Sequence, residues 1–452
     1  MKKHLSKLSL FIVFFYLVSI ANTFANEPQP NIKLTKIDEV YKAIVNFINL
    51  DTDFFGYNPR TLSISQQKIN FYDDYGNLVS YGFHIINSTN NDIIGYVITS
   101  TSYDMDPIIE AGKGSIPIVT KDELEILVKS KIDTNNLIQK AENLYNGPLA
   151  YITSIELKNG DAYYVSNISK EWIKKDGGNK LVCKPQLTNA QKIENNKRWD
   201  NIVHKGLLEE YSSNSLSNIT YASTQPAPPT GGYDSISYPL DSTYIQKQLG
   251  PVFSACGCGP SAGALLLWHL GERNSSYSQL KWGTGGTQVW FEYNSPTFIG
   301  IELCGYMSPI GGTKATSFNN GLKAYAQAPS RNYTIPTIMK YKGTALGSGA
   351  NTSSNVDVWN TIKDGINNRN APVALGIGND LTSGSSYYIE ENIPSNFSYH
   401  WVAVSGYIDD RSADLYNWYV KCKSWGIDYY CSFNSLCYWR DSLAAIYIDV
   451  YY

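Results

Sequence analysis

The chain has 452 residues, a formal net charge of −3 and 17% charged residues, so it lacks the concentrated Lys and Arg that phosphate recognition needs, which argues against a nucleic-acid partner. That length predicts two or three domains. The 35 tyrosines and 10 tryptophans supply core and rim area but specify no ligand.

In chain order, Met1-Lys2-Lys3-His4 with Lys7 is a basic head, Leu8 to Ile20 an apolar stretch and Thr23-Phe24-Ala25 a small-residue cleavage pattern, so residues 1–25 read as a secretory signal peptide. The stretch is too short to span a bilayer, no later run approaches roughly 18 apolar residues, and no cysteine follows for lipid attachment; the expected product is exported and free of the membrane. Residues 26–205 are expected to form a small α+β domain. Asn77 to Ile86 and Ile93 to Ser100 read as two strands joined by the polar turn Asn87 to Asp92. Lys121 to Asn143 reads as one or two amphipathic helices, with strands near Ala150 to Ile155 and Ala162 to Val165. Ser212 to Asn218 and Thr224 to Gly232 are polar, Pro/Gly-rich and unpatterned, which makes 206–232 a linker open to proteolysis. Residues 233–452 then form the C-terminal domain, and no repeat of fixed period is evident.

That domain opens with Ser254-Ala255-Cys256-Gly257-Cys258-Gly259-Pro260-Ser261, directly ahead of the apolar run Ala262 to Leu270. Pro260 at the first helical position and Gly271 past the end bracket a predicted helix of about three turns. Its unpaired N–H groups and dipole point at Cys258 and are expected to favour the thiolate. Cys256 is the alternative nucleophile, with Cys258 then structural. A metal site is not expected, because neither Cys304 nor Cys422, Cys431 and Cys437 has a histidine nearby in sequence; no cofactor is expected. Six of the seven cysteines follow position 230; if Cys258 stays free five remain there, so at least one more is expected to be unpaired, and one bridge among Cys422, Cys431 and Cys437 is open.

A thiolate nucleophile needs an imidazole, and there are five histidines. His4 lies in the export segment, and His84 and His204 in the 26–205 region. His269 is eleven residues along the same helix, about 16 Å from Cys258 at 1.5 Å rise per residue. It is expected to be a packed or capping residue, favoured as a cation near the helix end. His400 remains, opening the alternating run His400 to Ile408, a predicted buried strand that ends at the turn-prone Asp409-Asp410.

The order of a helix-start Cys, a His-x-Val-x-Val-x-Gly-Tyr strand 142 residues on, and the segment Trp418 to Gly426 ending in Ser424-Trp425-Gly426 resembles the papain-like clan of cysteine peptidases, streptopain-like zymogens most closely. Cys258-Gly259-Pro260-Ser261 is also similar to the peptidases that trim double-glycine bacteriocin leaders. The resemblance covers about 220 C-terminal residues in organisation and three short motifs in letters. It implies an α+β fold: a papain-like catalytic domain, with a mostly helical half carrying Cys258 and an antiparallel sheet carrying His400, preceded by a small α+β propeptide. The implied activity is secreted endopeptidase action on a polypeptide substrate, with the propeptide as intramolecular inhibitor until export.

The chain departs from the clan at Lys423, where an Asn would accept the imidazole N–H; a protonated Lys has only donors. Ser424 with Trp425 covering the ring is the preferred replacement, and Asn417 a more distant one. For the oxyanion hole the clan implies a Gln before the cysteine, for which Gln248 is preferred over Gln246. Two rival readings stay open: a cell-wall amidase using the same Cys/His pair, and a catalytically inactive protein of the same fold acting as a binding module or inhibitor, for which Lys423 is the main support.

Overall fold

The computed structural model describes residues 34–49, 54–55, 61–132, 137–167, 170, 172–175, 187–205, 258–281, 296–307, 313–343, 353–378, 399–410, 417–424, 427–440 and 442–450. The predicted signal peptide, the 206–232 linker, Cys256, Gln246, Gln248 and Trp425 lie outside them.

The N-terminal region begins with α1 (Ile37–Ile48), whose Val40, Ala43, Ile44, Phe47 and Ile48 recur at helical spacing and are buried. Strands β1 (Leu62–Tyr72), β2 (Leu78–Asn87), β3 (Ile93–Ser100) and β4 (Ile108–Lys113) follow as an antiparallel meander. The predicted pair is β2 and β3, joined by the predicted turn. Helix α2 (Lys121–Lys131) is started by a capping box between Thr120 and Glu123. The expectation of helix up to Asn143 is corrected: Ile138–Tyr145 is strand β5. Its backbone pairs with β6 (Tyr151–Leu157) along its length and with β1 at Tyr72, so tertiary pairing overrides the helical propensity of Gln139, Lys140, Ala141 and Glu142. Strands β7 (Ala162–Ser166) and β8 (Trp172–Lys174) and helix α3 (Asn189–Lys205) complete the region.

The C-terminal part contains α4 (Cys258–Arg273), a 3-10 segment (Ser275–Lys281), α5 (Pro296–Met307), α6 (Ala315–Gln327), β9 (Thr337–Lys342), α7 (Asn355–Arg369), β10 (Val373–Gly378), β11 (Tyr399–Asp410), β12 (Asn417–Ser424), β13 (Ile427–Ser432), α8 (Phe433–Trp439) and β14 (Ser442–Ile448). Gly271 is inside α4 rather than beyond it. A Cβ there would stand 3.0 Å from the Lys281 backbone nitrogen, so the glycine admits the returning 3-10 segment. The predicted turn at Asp409-Asp410 is likewise replaced by strand, because both residues pair with β12, at Trp418 and Asn417; the buried Asp409 carboxylate accepts from Lys363 Nζ at 2.7 Å and Trp418 Nε1 at 3.0 Å.

The molecule is therefore α+β, built on one mostly antiparallel sheet ordered β8-β7-β6-β5-β1-β2-β3-β4-β13-β12-β11-β10-β14-β9. Helix α7 covers one face through Trp359, Ile362 and Ile366 against Leu375, Val402 and Val404. Helices α4, α5 and α6 cover the other through Leu266, Leu303 and Phe318 against Trp401, Ala444 and Ile446. Covered on both faces, β10 is buried at all six positions and reads Val-Ala-Leu-Gly-Ile-Gly, the uniform apolar run such a strand requires. Helix α4 has Leu266, Leu267 and Leu270 inside, each contributing about 1.5–3 kcal/mol by removal from water. This enclosure fixes the position of the first residue of α4.

Candidate active site

Cys258, the first residue of α4, is buried, and its Sγ accepts the Trp401 backbone N–H at 3.2 Å. One covalent bond separates that nitrogen from His400, so the sulfur lies within about 4.5 Å of the His400 carbonyl carbon. Two residues 142 positions apart in sequence thus meet where the helix start reaches the head of β11. The approach is close. A Cβ on Gly259 would fall 2.3 Å from Thr313 Oγ1, so glycine beside the cysteine is what lets Thr313 pack against the helix start. Thr313 also accepts the Trp401 indole N–H through its carbonyl at 2.7 Å, and that indole stacks on Phe318 with centroids 4.3 Å apart and planes 14° from parallel.

His400 is the second residue of β11, opposite Ile377 of β10, and is buried. Its Nε2 is hydrogen-bonded to Ser424 Oγ at 2.7 Å. Ser424 is the last residue of β12. Side chains alternate along a strand, so the neighbouring Lys423 faces away from the imidazole; its Nζ donates to Asp428 Oδ1 at 3.2 Å. Asn417 pairs with Asp410 at the far end of the same strand, roughly 23 Å away at 3.3 Å per residue, and is excluded as the orienting group. Of the expected site residues, the fold brings Cys258, His400 and Ser424 to one place; Trp425 and Gln248 fall outside the described residues.

Burial dominates the electrostatics. It pushes the Cys258 thiol up to about 11, against the lowering effect of the Trp401, Cys258 and Gly259 amides. The thiolate expected at the helix start is therefore not the form that this burial favours: the helix amides are present, but loss of solvation outweighs them. His400 is pushed down to about 3, by burial first and then by the charge of Arg440. Arg440 is itself buried and sits just ahead of β14, whose Ser442 lies level with Gly378 and Tyr399 at this end of the sheet. Burial thus favours the neutral form of both groups at pH 7.

His269 is wholly buried, its Nε2 meets the Asn370 carbonyl at 3.3 Å, and burial pushes it down to about 3. It is packed, as the sequence suggested, but neutral rather than cationic. A left-handed Asn370 closes α7 and delivers that carbonyl. Because His269 and His400 both lie below their ordinary value, the stability they confer is complete above about pH 6.5 and is lost as pH falls toward 3. At pH 5 each costs about 2 kcal/mol relative to pH 7.5, since the unfolded chain takes up the protons. Urea midpoints of the uncut chain should fall accordingly, and His269→Gln with His400→Gln should remove most of the fall; a drop undiminished in the double variant would contradict this.

Cys304 is disulfide-bonded, whereas Cys258, Cys422, Cys431 and Cys437 are free thiols. The bridge left open among the last three is not formed; Cys422 and Cys431 Sγ stand 4.0 Å apart. Among the described residues no three His, Cys, Asp or Glu side chains stand together as metal ligands, and no helix is long and apolar enough to cross a membrane. Sequence reasoning missed Trp401 as the sulfur's amide donor, although it adjoins His400. It also missed Thr313, which acts through its carbonyl and its packing on Gly259, and Arg440, which acts through its charge; the letters carry no signal for either, since folding alone brings them to the site. Comparison of the chain with family models, with curated proteins and with solved structures returned no match.

Proposed function

We propose that the chain is an exported cysteine endopeptidase of papain-like organisation, made as a latent precursor. The single observation that carries this reading is the hydrogen bond between Trp401 N–H and Cys258 Sγ, which seats the helix-start sulfur at the head of the strand that bears His400. The Ser424 contact supports the roles. With Nε2–H donating to Ser424 Oγ, Nδ1 keeps its lone pair and serves as the base for the thiol. Sγ attacks the scissile carbonyl carbon as the thiol proton passes to the imidazole. His400 returns that proton to the leaving amine, and water then releases the acyl group from sulfur. Because Ser424 supplies the acceptor, Lys423 in the clan's Asn position does not disable the imidazole.

Latency belongs to the uncut chain, where a buried neutral thiol and a buried neutral imidazole make a poor nucleophile. In this proposal a cut in 206–232 relieves the latency, and the N-terminal region inhibits only while covalently joined. On this reading Ser424→Ala should lower kcat about 10- to 100-fold with KM unchanged, the value of one orienting hydrogen bond of about 1–3 kcal/mol. An unchanged kcat would remove Ser424 from the site. The reading is tested by incubating the processed protein with casein and with purified peptidoglycan. New peptide N-termini from casein that disappear in Cys258→Ala support it, release of muropeptides alone favours an amidase, and inertness toward both favours a binding protein.

A further inference from the structure

The predicted propeptide and the C-terminal part do not touch as two closed bodies. Strand β4 pairs antiparallel with β13, Glu110 opposite Cys431, Ala111 opposite Tyr430 and Gly112 opposite Tyr429, so a single sheet crosses from one to the other. On one face of that seam Phe47 and Phe54 pack on Tyr430 and Phe47 on Tyr419; both tyrosines are buried. On the other face Tyr145 meets the Trp439 ring.

Polar groups at the seam are matched as well. The buried Asp106 carboxylate accepts from Ser432 Oγ at 2.6 Å, Ser435 Oγ at 2.9 Å and Arg198 at 2.9 Å, and Arg198 also donates to Tyr438. Glu110, buried at the seam itself, accepts from the Tyr96, Tyr145 and Tyr151 hydroxyls and the Leu149 N–H. By contrast, the apolar cluster around Cys258 draws only on described residues from 258 onward. The N-terminal region therefore grips the sheet at β13, two strands from β11, rather than the face that holds the sulfur.

We infer that residues 34–205 are a lasting partner of the C-terminal part: after a cut in the linker the two pieces remain together as one two-chain particle, with β4 holding β13, β13 holding β12, and β12 keeping Ser424 against His400. Removing the N-terminal piece would leave β13 as an open strand edge and bare Tyr419, Tyr430 and Trp439, a surface that calls for a cover. The inference takes the linker cut from the reading above, but association is read without catalysis.

The test uses the full chain carrying Cys258→Ala, so that it cannot process itself, with a recognition site for an exogenous protease replacing residues 212–217. After complete cutting, native mass spectrometry and size-exclusion chromatography at micromolar and at nanomolar concentration should show both fragments in one 1:1 species of unchanged size, separating only in denaturant. Separation under native conditions at micromolar concentration, whether the C-terminal fragment stays soluble or precipitates, overturns the inference. In a second measurement, Arg198→Met in the same cut protein should raise the dissociation constant at least tenfold; an unchanged constant would mean that the Asp106 cluster does not hold the seam. Neither result bears on whether Cys258 is a nucleophile.

Discussion

Cys258→Ala is expected to accumulate as an uncut precursor and to lose peptidase activity by about ten-thousand-fold or more, the scale seen when the nucleophile of a covalent mechanism is removed. The fold itself should tolerate the change. Cys258 sits at the first position of α4, its Sγ accepts only weakly from backbone amides such as that of Trp401, and the helix is held by Leu266, Leu267 and Leu270 several residues on. A urea midpoint close to that of the parent chain would therefore accompany the loss, which separates a chemical role from a structural one. The partner variants sharpen this. His400→Ala should match the loss, while His269→Ala should keep activity apart from the effect of a smaller core residue. Normal processing and full activity in Cys258→Ala would transfer the role elsewhere, and equal losses in the two histidine variants would undo the assignment of His400.

Arg198→Met is expected to cost about 3–5 kcal/mol, because it strands the buried carboxylate of Asp106 while leaving the volume filled. That is a large share of the roughly 5–15 kcal/mol that holds a typical domain folded. Asp106 would keep the Ser432 and Ser435 hydroxyls, which soften the loss but cannot neutralise the charge. The double variant Asp106→Leu with Arg198→Met should regain part of the stability, since replacing both members of a buried pair by apolar groups is close to neutral. Urea unfolding of the uncut chain measures both. A loss below about 1 kcal/mol in the single variant would show that water reaches the cluster.

The elements nearest the chemistry were the most legible in sequence. The helix behind Cys258 announced itself through Pro260 and an apolar run, and the His400 strand through the apolar run His400 to Ile408, because each is buried against its neighbours with few competing patterns. Five histidines made the pairing a matter of elimination. The thiol's protonation state was not legible, since it depends on how completely folding removes solvent, and a helix dipole read from letters says nothing about that. The β5 segment was missed because its strand character comes from β6 and β1 beside it rather than from its own residues. The seam between β4 and β13 was missed for the same reason. A polar, Pro/Gly-rich stretch at 206–232 reads in sequence as a boundary, while the hydrogen bonds that join the flanking parts belong to strands more than 300 residues apart.

Alkylation of the processed chain by iodoacetamide, followed by peptide mass spectrometry across pH 5 to 9, tests the pairing of sulfur and imidazole most directly. The account predicts that Cys258 is modified first, ahead of the buried Cys422 and Cys431 and of the half-buried Cys437. Its rate at pH 7 should exceed that of a simple thiol and fall at least tenfold in His400→Ala, and the uncut precursor should react slowly throughout. Should Cys258 react no faster than Cys437 after processing, or react equally fast without His400, the two groups do not act together and the peptidase reading is contradicted.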